Sequence, residues 1–335
     1  MKIYGVVVIG CGHIGTQHLE DIYFRENICI EAVVDADPLA AAVAARKFGA
    51  KRSGTDYRAF LSLPEVDIVI IATYTSSHLS ILQDCIAAGK HVLCEKPVAS
   101  DLETGRRFFE LAKQSKSKVL IAHILRHNIA YQKIREMIAS GIIGSLRLMR
   151  MVQNHHTMNW DRYGRLLEDC SPIVDCGVHY IDVMQWLSGV PVVEVSGFGT
   201  KIDPDAPRMN YGMMTARLAD GCIAYYEAGW SRNTASENIK EFIGTEGRIS
   251  LTLNVNRVRD REEGNLITVY HSRTGEYETV NQPGEYKEMY LQLMTLIDMI
   301  ENGSKGAPTL DEAYSAFRIS LLADEAIRAG KTLQV

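Results

Sequence analysis

Along the first third of the chain, short unbroken apolar runs alternate with stretches whose apolar residues recur every three or four positions. The runs at 3–9, 28–35, 66–73 (VDIVIIAT), 91–94 and 118–123 read as five strands. Their continuous apolar character is that of strands buried on both faces of a parallel sheet. Between them a helix starts near Ile14, and an alanine-rich helix runs from Leu39 to Phe48, opened by Pro38 and stopped by Gly49. Further helices are expected over 78–88, ending at Gly89, and over 102–115. The alternation predicts a doubly wound parallel sheet over residues 1–123.

From residue 124 the pattern changes. A helix over 129–140 ends at Gly141, and β-type runs then dominate at 146–153, 192–198, 212–218, 222–229, 238–243, 248–253 and 266–271. Turn signals such as Asp220-Gly221 and Glu246-Gly247 separate them. One helix over 174–187 interrupts the strands. Helices over 286–302 and 310–329 close the chain, with Gly303 and Gly330 where C-cap residues belong. Residues 124–335 therefore read as an α+β domain, with a large, mostly antiparallel open sheet carrying helices on one face.

Composition narrows the function. A chain of 335 residues has room for roughly two domains. Net charge is −5 and pI about 6.1, so nothing electrostatic favours nucleic acid or an anionic membrane. The apolar N-terminal run is short and lacks a signal-type cleavage site. No apolar stretch reaches the roughly 18 residues of a membrane span. Seven cysteines, an odd number without a C-x-x-C pair, suit a reducing compartment, and a cytoplasmic location is expected.

The chemistry begins at Gly10-Cys11-Gly12-His13-Ile14-Gly15, a G-x-G-x-x-G that directly follows the first strand and opens a helix. Gly10 permits the tight turn, Gly12 lets a pyrophosphate approach the backbone, and Gly15 allows close helix–strand packing. His13 and Ile14 stand at the helix N-terminus, where free N–H groups and a partial positive charge meet phosphate. Asp35 ends the second strand twenty residues after Gly15, where a carboxylate hydrogen-bonds the adenosine ribose hydroxyls. Ala36 follows, and no basic residue appears before Arg46, which favours NAD over NADP.

Two further clusters carry candidate chemistry. Glu95-Lys96-Pro97 lies at the carboxyl end of the fourth strand, on the side where open α/β sheets bind ligands. In the segment Asp175-Cys176-Gly177-Val178-His179-Tyr180-Ile181-Asp182, a continuous helix puts Asp175 and His179 on one face, with Asp182 a turn later. A carboxylate beside an imidazole raises its basicity and orients it. A helix-surface ion pair would read the same way. Asn154-His155-His156 ends the first strand of the second domain. Without a further His or Cys at ligand spacing, it reads as a polar substrate contact through His155 rather than a metal site.

Taken together and in this order, the glycine fingerprint, the Glu95-Lys96-Pro97 turn, the D-x-G-x-H-x-x-D segment and the late Glu241-Phe242-Ile243-Gly244-Thr245-Glu246-Gly247 stretch resemble the Gfo/Idh/MocA oxidoreductases, which include glucose–fructose oxidoreductase and inositol dehydrogenase. The resemblance covers essentially the whole chain. It implies an NAD-binding Rossmann domain and a second domain that binds substrate and assembles into homodimers or homotetramers. It further implies a dehydrogenase acting on a sugar, polyol or cyclitol hydroxyl. Lys96, Asp175 and His179 match the catalytic positions of inositol-dehydrogenase-like members and would also contact substrate. Glu95 and Lys96 fall at the cofactor. Arg126 falls where the family places a substrate or cofactor contact. Thr73 and His78 match its T-P-x-x-x-H cofactor loop, except that Tyr74 stands in place of the proline. Loops at 158–170 and 201–210 would set specificity. Two other outcomes occur among such relatives: NAD-dependent glycoside cleavage without net redox change, and non-catalytic dinucleotide sensing. Retention of Lys96, Asp175 and His179 argues against the sensor.

Overall fold

The computed structural model describes residues 2–156, 160–253, 264–283 and 287–335. The start of the helix expected at 286, residues 158 and 159 of the expected loop and the side chain of His156 lie outside them. The chain forms two compact units, Met1–Ile124 with Glu288–Tyr314, and Leu125–Lys287 with Ser315–Val335.

In the first unit the strands are β1 (Tyr4–Ile9), β2 (Ile28–Val34), β3 (Ser53–Gly54), β4 (Ile68–Ile71), β5 (His91–Cys94) and β6 (Val119–Ile121). They form one parallel sheet in the order β3-β2-β1-β4-β5-β6. Helices α1 (His13–Ile22), α2 (Pro38–Phe48), α3 (Arg58–Leu61), α4 (His78–Ala87) and α5 (Leu102–Gln114) connect them. Sequence chemistry marks their ends. Asp37 caps α2 by accepting from the Leu39 N–H, Pro38 occupies its first turn, and Gly49 ends it at φ 69°. Asp101 caps α5 through the Thr104 N–H. All six residues of β1 and all four of β4 are buried, as a doubly covered sheet requires.

The second unit contains α6 (Ile129–Ala139), β7 (Leu146–His156), α7 (Trp160–Asp169), α8 (Pro172–Asp175), α9 (Gly177–Ser188), β8 (Val192–Thr200), β9 (Tyr211–Leu218), β10 (Ile223–Ser231), β11 (Glu237–Gly244), β12 (Gly247–Thr252), β13 (Asn265–His271) and β14 (Tyr277–Gln282). Helix α10 (Met289–Asn302) belongs to the first unit; α11 (Leu310–Ala329) and β15 (Leu333–Gln334) close the chain. The nine-stranded sheet runs β14-β13-β12-β11-β7-β10-β9-β8-β15. It is antiparallel except at its centre, where β7 and β10 pair in parallel. In β9 every second residue is buried, the alternation of a sheet covered on one face.

Three expectations need correction. The single cut after residue 123 gives way to a chain that returns: Leu293, Leu296, Ile297 and Met299 of α10 pack in one core with Tyr4, Val6, Leu19 and Leu93. Residues 160–169 of the expected specificity loop are helical, because Trp160, Tyr163, Leu166 and Leu167 recur at helical spacing and bury against Trp230 and Ala206. The helix expected over 174–187 is two helices. At Cys176 the backbone stays right-handed, but the His179 N–H bonds the carbonyl three residues back rather than four.

Candidate active site

Each fingerprint glycine in the first unit has its own reason. Gly10 sits at φ 95°, and a Cβ there would lie 2.5 Å from the Ala72 carbonyl oxygen. On Gly15 a Cβ would stand 1.8 Å from the Gly10 oxygen, so α1 packs directly onto the turn. Around Gly12 a Cβ would meet nothing within 4 Å, and this open backbone heads α1. His13 beside it is exposed and Ile14 half-buried. A blocked glycine, a positive-φ glycine and an open one at a helix N-terminus make a cradle that fits a dinucleotide pyrophosphate. The Asp35 carboxylate closes its rim, accepting the Cys11 N–H at 2.7 Å and the Asp37 N–H at 2.9 Å. Carboxylate oxygens have further lone pairs, so ribose hydroxyls can still be received there.

The loop after β4 is braced from below. His78 is 1% exposed, and its Nε2 lies 3.0 Å from the Thr73 carbonyl oxygen. His78 therefore holds the loop and does not face it, while half-buried Thr73 bonds the Ser77 hydroxyl at 2.7 Å. Tyr74 adopts φ −72° and ψ 152°, within the range a proline ring would impose. After β5, buried Glu95 meets fully buried His18 of α1, Nε2 to Oε1, at 2.8 Å. The same carboxylate accepts the Lys96 N–H at 3.3 Å. The glycine helix and the lysine turn are thus tied together by His18, which no sequence signal singled out. Lys96 is half-buried, and the Lys96–Pro97 peptide is cis.

In the second unit, Pro172 begins α8 and Gly177 begins α9, where a Cβ would come within 3.3 Å of the Tyr226 ring. Across residues 171–180 everything is buried except Asp175, Cys176 and His179. The turn thus presents the two expected catalytic groups from one otherwise sunken surface. Asp175 is close enough to His155 to raise its proton affinity, but burial acts more strongly and pushes the imidazole pKa down, aided by Arg162. His155 lies 6.2 Å from the Tyr163 ring, which packs 5.6 Å from Trp230. His155, Tyr163, Asp175, Cys176 and Trp230 therefore form one cluster.

Two buried charges in this unit have well-defined partners. Arg126 is 6% exposed and grips Asp182 with two bonds, Nε at 2.8 Å and Nη2 at 2.7 Å. Its guanidinium also lies 5.6 Å from the Trp186 ring. It ties α9 through these two bonds, and Asp182, 1% exposed, belongs to that anchor and not to the His179 surface. Lys240, which its sequence context did not mark, is 1% exposed on the helix-covered face of β11. Its Nζ donates to the carbonyls of Val152 (2.7 Å) and Ile239 (3.0 Å) and to Asn238 Oδ1 (2.5 Å), 4.6 Å above the Tyr180 ring. Burial lowers its pKa to about 7. A lysine at an inward position of a strand alternation was the available signal. Among the described residues no group of three or more His, Cys, Asp or Glu is placed to hold a metal ion, and no helix is long and apolar enough to cross a membrane.

Comparison with known proteins agrees with this geometry. Residues 4–123 match the model of an oxidoreductase family with an NAD-binding Rossmann fold, and residues 131–250 match the GFO/IDH/MocA C-terminal domain. The chain belongs to the GFO/IDH/MocA oxidoreductase family, and its first unit is the family's NAD-binding domain. It is 30% identical over 196 residues to inositol 2-dehydrogenase of Corynebacterium glutamicum, a match spanning 58% of this chain and only 57% of that enzyme. Similarity to myo-inositol 2-dehydrogenase of Thermotoga maritima, at 22% identity, runs over 98% of this chain and 97% of the relative. Among solved structures, myo-inositol 2-dehydrogenase from Lactobacillus plantarum superposes with a TM-score of 0.85 at 19% identity, over the whole of both chains. A levoglucosan dehydrogenase in complex with NADH and L-sorbose gives 0.86 at 23% identity, over all of this chain and 99% of that one.

Proposed function

We propose that this protein is an NAD-dependent dehydrogenase that oxidises a CH–OH group of a sugar, polyol or cyclitol. The observation that carries the reading is the turn at 175–179, which lifts Asp175 and His179 out of a buried run beside His155. Relatives named inositol 2-dehydrogenase and levoglucosan dehydrogenase support the substrate class. When bound, NAD supplies a hydride acceptor at its nicotinamide C4. His179 takes the hydroxyl proton as the C–H bond breaks. Lys96 hydrogen-bonds the same oxygen and stabilises the negative charge that develops on it. Asp175 orients the imidazole and supports its protonated form, and His155, held neutral by burial, contacts another substrate hydroxyl. Asp35 excludes a ribose 2′-phosphate by charge, so NAD is preferred to NADP.

The test is NADH formation, followed by absorbance, with NAD and a panel of cyclitols, sugars and sugar acids. Lys96→Ala and His179→Ala should each lower turnover by about a hundredfold or more while leaving NAD affinity nearly intact. Unchanged turnover in either variant, or glycoside cleavage without net NADH, overturns the assignment. The uncovered face of the nine-stranded sheet supports assembly into a homodimer or homotetramer, and a monomeric mass in light scattering would refute it. Seven free cysteines suit the reducing cytoplasm as its place of action.

A further inference from the structure

The first sheet reverses its winding between β1 and β4, and ligands of such sheets lie outside the strand ends at that point. The glycine turn after β1 and the Thr73 loop after β4 meet there: the position a Cβ of Gly10 would occupy is 2.5 Å from the Ala72 oxygen and 3.1 Å from the Thr73 nitrogen. The next residue on that loop is Tyr74. Its side chain is large, aromatic and 49% exposed. Its backbone is nonetheless firmly mounted. The Tyr74 carbonyl accepts the Ser77 N–H at 3.1 Å and the Ser77 hydroxyl at 3.0 Å, and the preceding carbonyl is held by His78. On the other flank of β1, after Asp35, the first turn of α2 carries Leu39, 69% exposed. Tyr74 and Leu39 thus offer exposed apolar surface on the loops either side of the polar cradle.

The chemistry of the ligand says which part of it does so. Asp35 is placed for the hydroxyls of the adenosine ribose, and the adenine is bonded to that same ribose. With a pyrophosphate over Gly12 and the ribose at Asp35, the base would reach the loops following β2 and β4. We propose that the Tyr74 ring is a stacking platform for the adenine of the dinucleotide, a contact that a proline at this position could not make to the same extent. A flat π-face recognises a purine by stacking, with Leu39 as an aliphatic neighbour on the opposite flank. The proposal rests on the family's dinucleotide and not on the polyol reading.

The experiment measures binding of ADP-ribose, which is the dinucleotide without its nicotinamide, by calorimetry to the intact parent and to Tyr74→Ala, Tyr74→Pro and Tyr74→Phe. The proline variant preserves the loop's φ while removing the ring and the backbone N–H, and the alanine variant removes the ring but keeps that N–H, so together they separate stacking from loop geometry. Loss of a stacked aromatic should weaken ADP-ribose by at least about fivefold in the Ala and Pro variants, while Phe stays within roughly twofold of the parent. Fluorescence of 1,N6-etheno-ADP-ribose should be quenched on binding to the parent and to Tyr74→Phe, and less so by the other two. Equal affinity and equal quenching in all four proteins overturns the proposal, as does a parent that binds no ADP-ribose. A parent that binds ADP-ribose through Tyr74 yet oxidises no polyol keeps the proposal and sinks only the substrate reading.

Discussion

Arg126 shows how much a residue's role depends on what it meets. By position it fitted a ligand contact; in the fold both of its bonds to Asp182 are buried, one helical turn beyond His179. Removing one partner of a buried ion pair strands the other charge. Arg126→Met should therefore cost about 3–5 kcal/mol in unfolding free energy. Arg126→Met/Asp182→Leu should recover a large part of that loss, read by denaturant titration. If the single variant matches the parent, the anchor is not what holds α9. Other residues were legible in advance. Gly10, Gly12, Gly15 and Asp35 follow from local geometry that any dinucleotide turn imposes; the structure gives Gly10, Gly15 and Asp35 each a separate steric or hydrogen-bonding cause and leaves Gly12 as open backbone. His18 was not legible, since its partner Glu95 lies 77 positions away.

At the scale of elements, strong periodicity was readable and weak periodicity was not. Strand β14 is exposed along most of its length, so it carries no apolar alternation to read. Helix α7 contains Gly164, and its apolar stripe becomes evident only against Trp230. Strand β11 carries the most testable consequence. Lys240 in the folded state loses its proton near pH 7, whereas in the unfolded chain it keeps the ordinary lysine value of about 10.4. Between those values the unfolded chain binds more protons, so Lys240's contribution makes stability rise with pH through that window. Below pH 7 the full cost of burying the ammonium is present, on the order of a few kcal/mol. Lys240→Met should flatten the dependence of melting temperature on pH between about 7 and 10. An identical slope in parent and variant would show that Lys240 titrates normally.

At the scale of the whole molecule, the first unit is assembled from two distant stretches of chain. Leu296 is fully buried among residues of β1, α1 and β5, although 203 positions separate it from Leu93, the last of them. Leu296→Ala should destabilise that unit by about 2–5 kcal/mol and lower its melting temperature. A loss below about 1 kcal/mol, the scale of an ordinary surface change, would contradict the packing of α10.

What the sequence determined by itself was everything encoded over short range. This includes the parallel and antiparallel character of the two sheets, the caps of α2 and α5, the cofactor turn, and the candidate groups Lys96, Asp175 and His179. These follow from apolar period, capping chemistry and motif spacing, which act between residues a few positions apart. The tertiary structure alone decided the return of α10 to the first unit, the parallel β7–β10 pair at the heart of the second sheet, and the burial of Lys240. It also decided that His78 holds the Thr73 loop in the first unit, and that in the second Arg126 pairs with Asp182 while Asp175 and His179 surface from a sunken turn. Each of these depends on which distant groups fill a buried space or satisfy a buried polar atom, and that pairing is set by packing and desolvation across the fold.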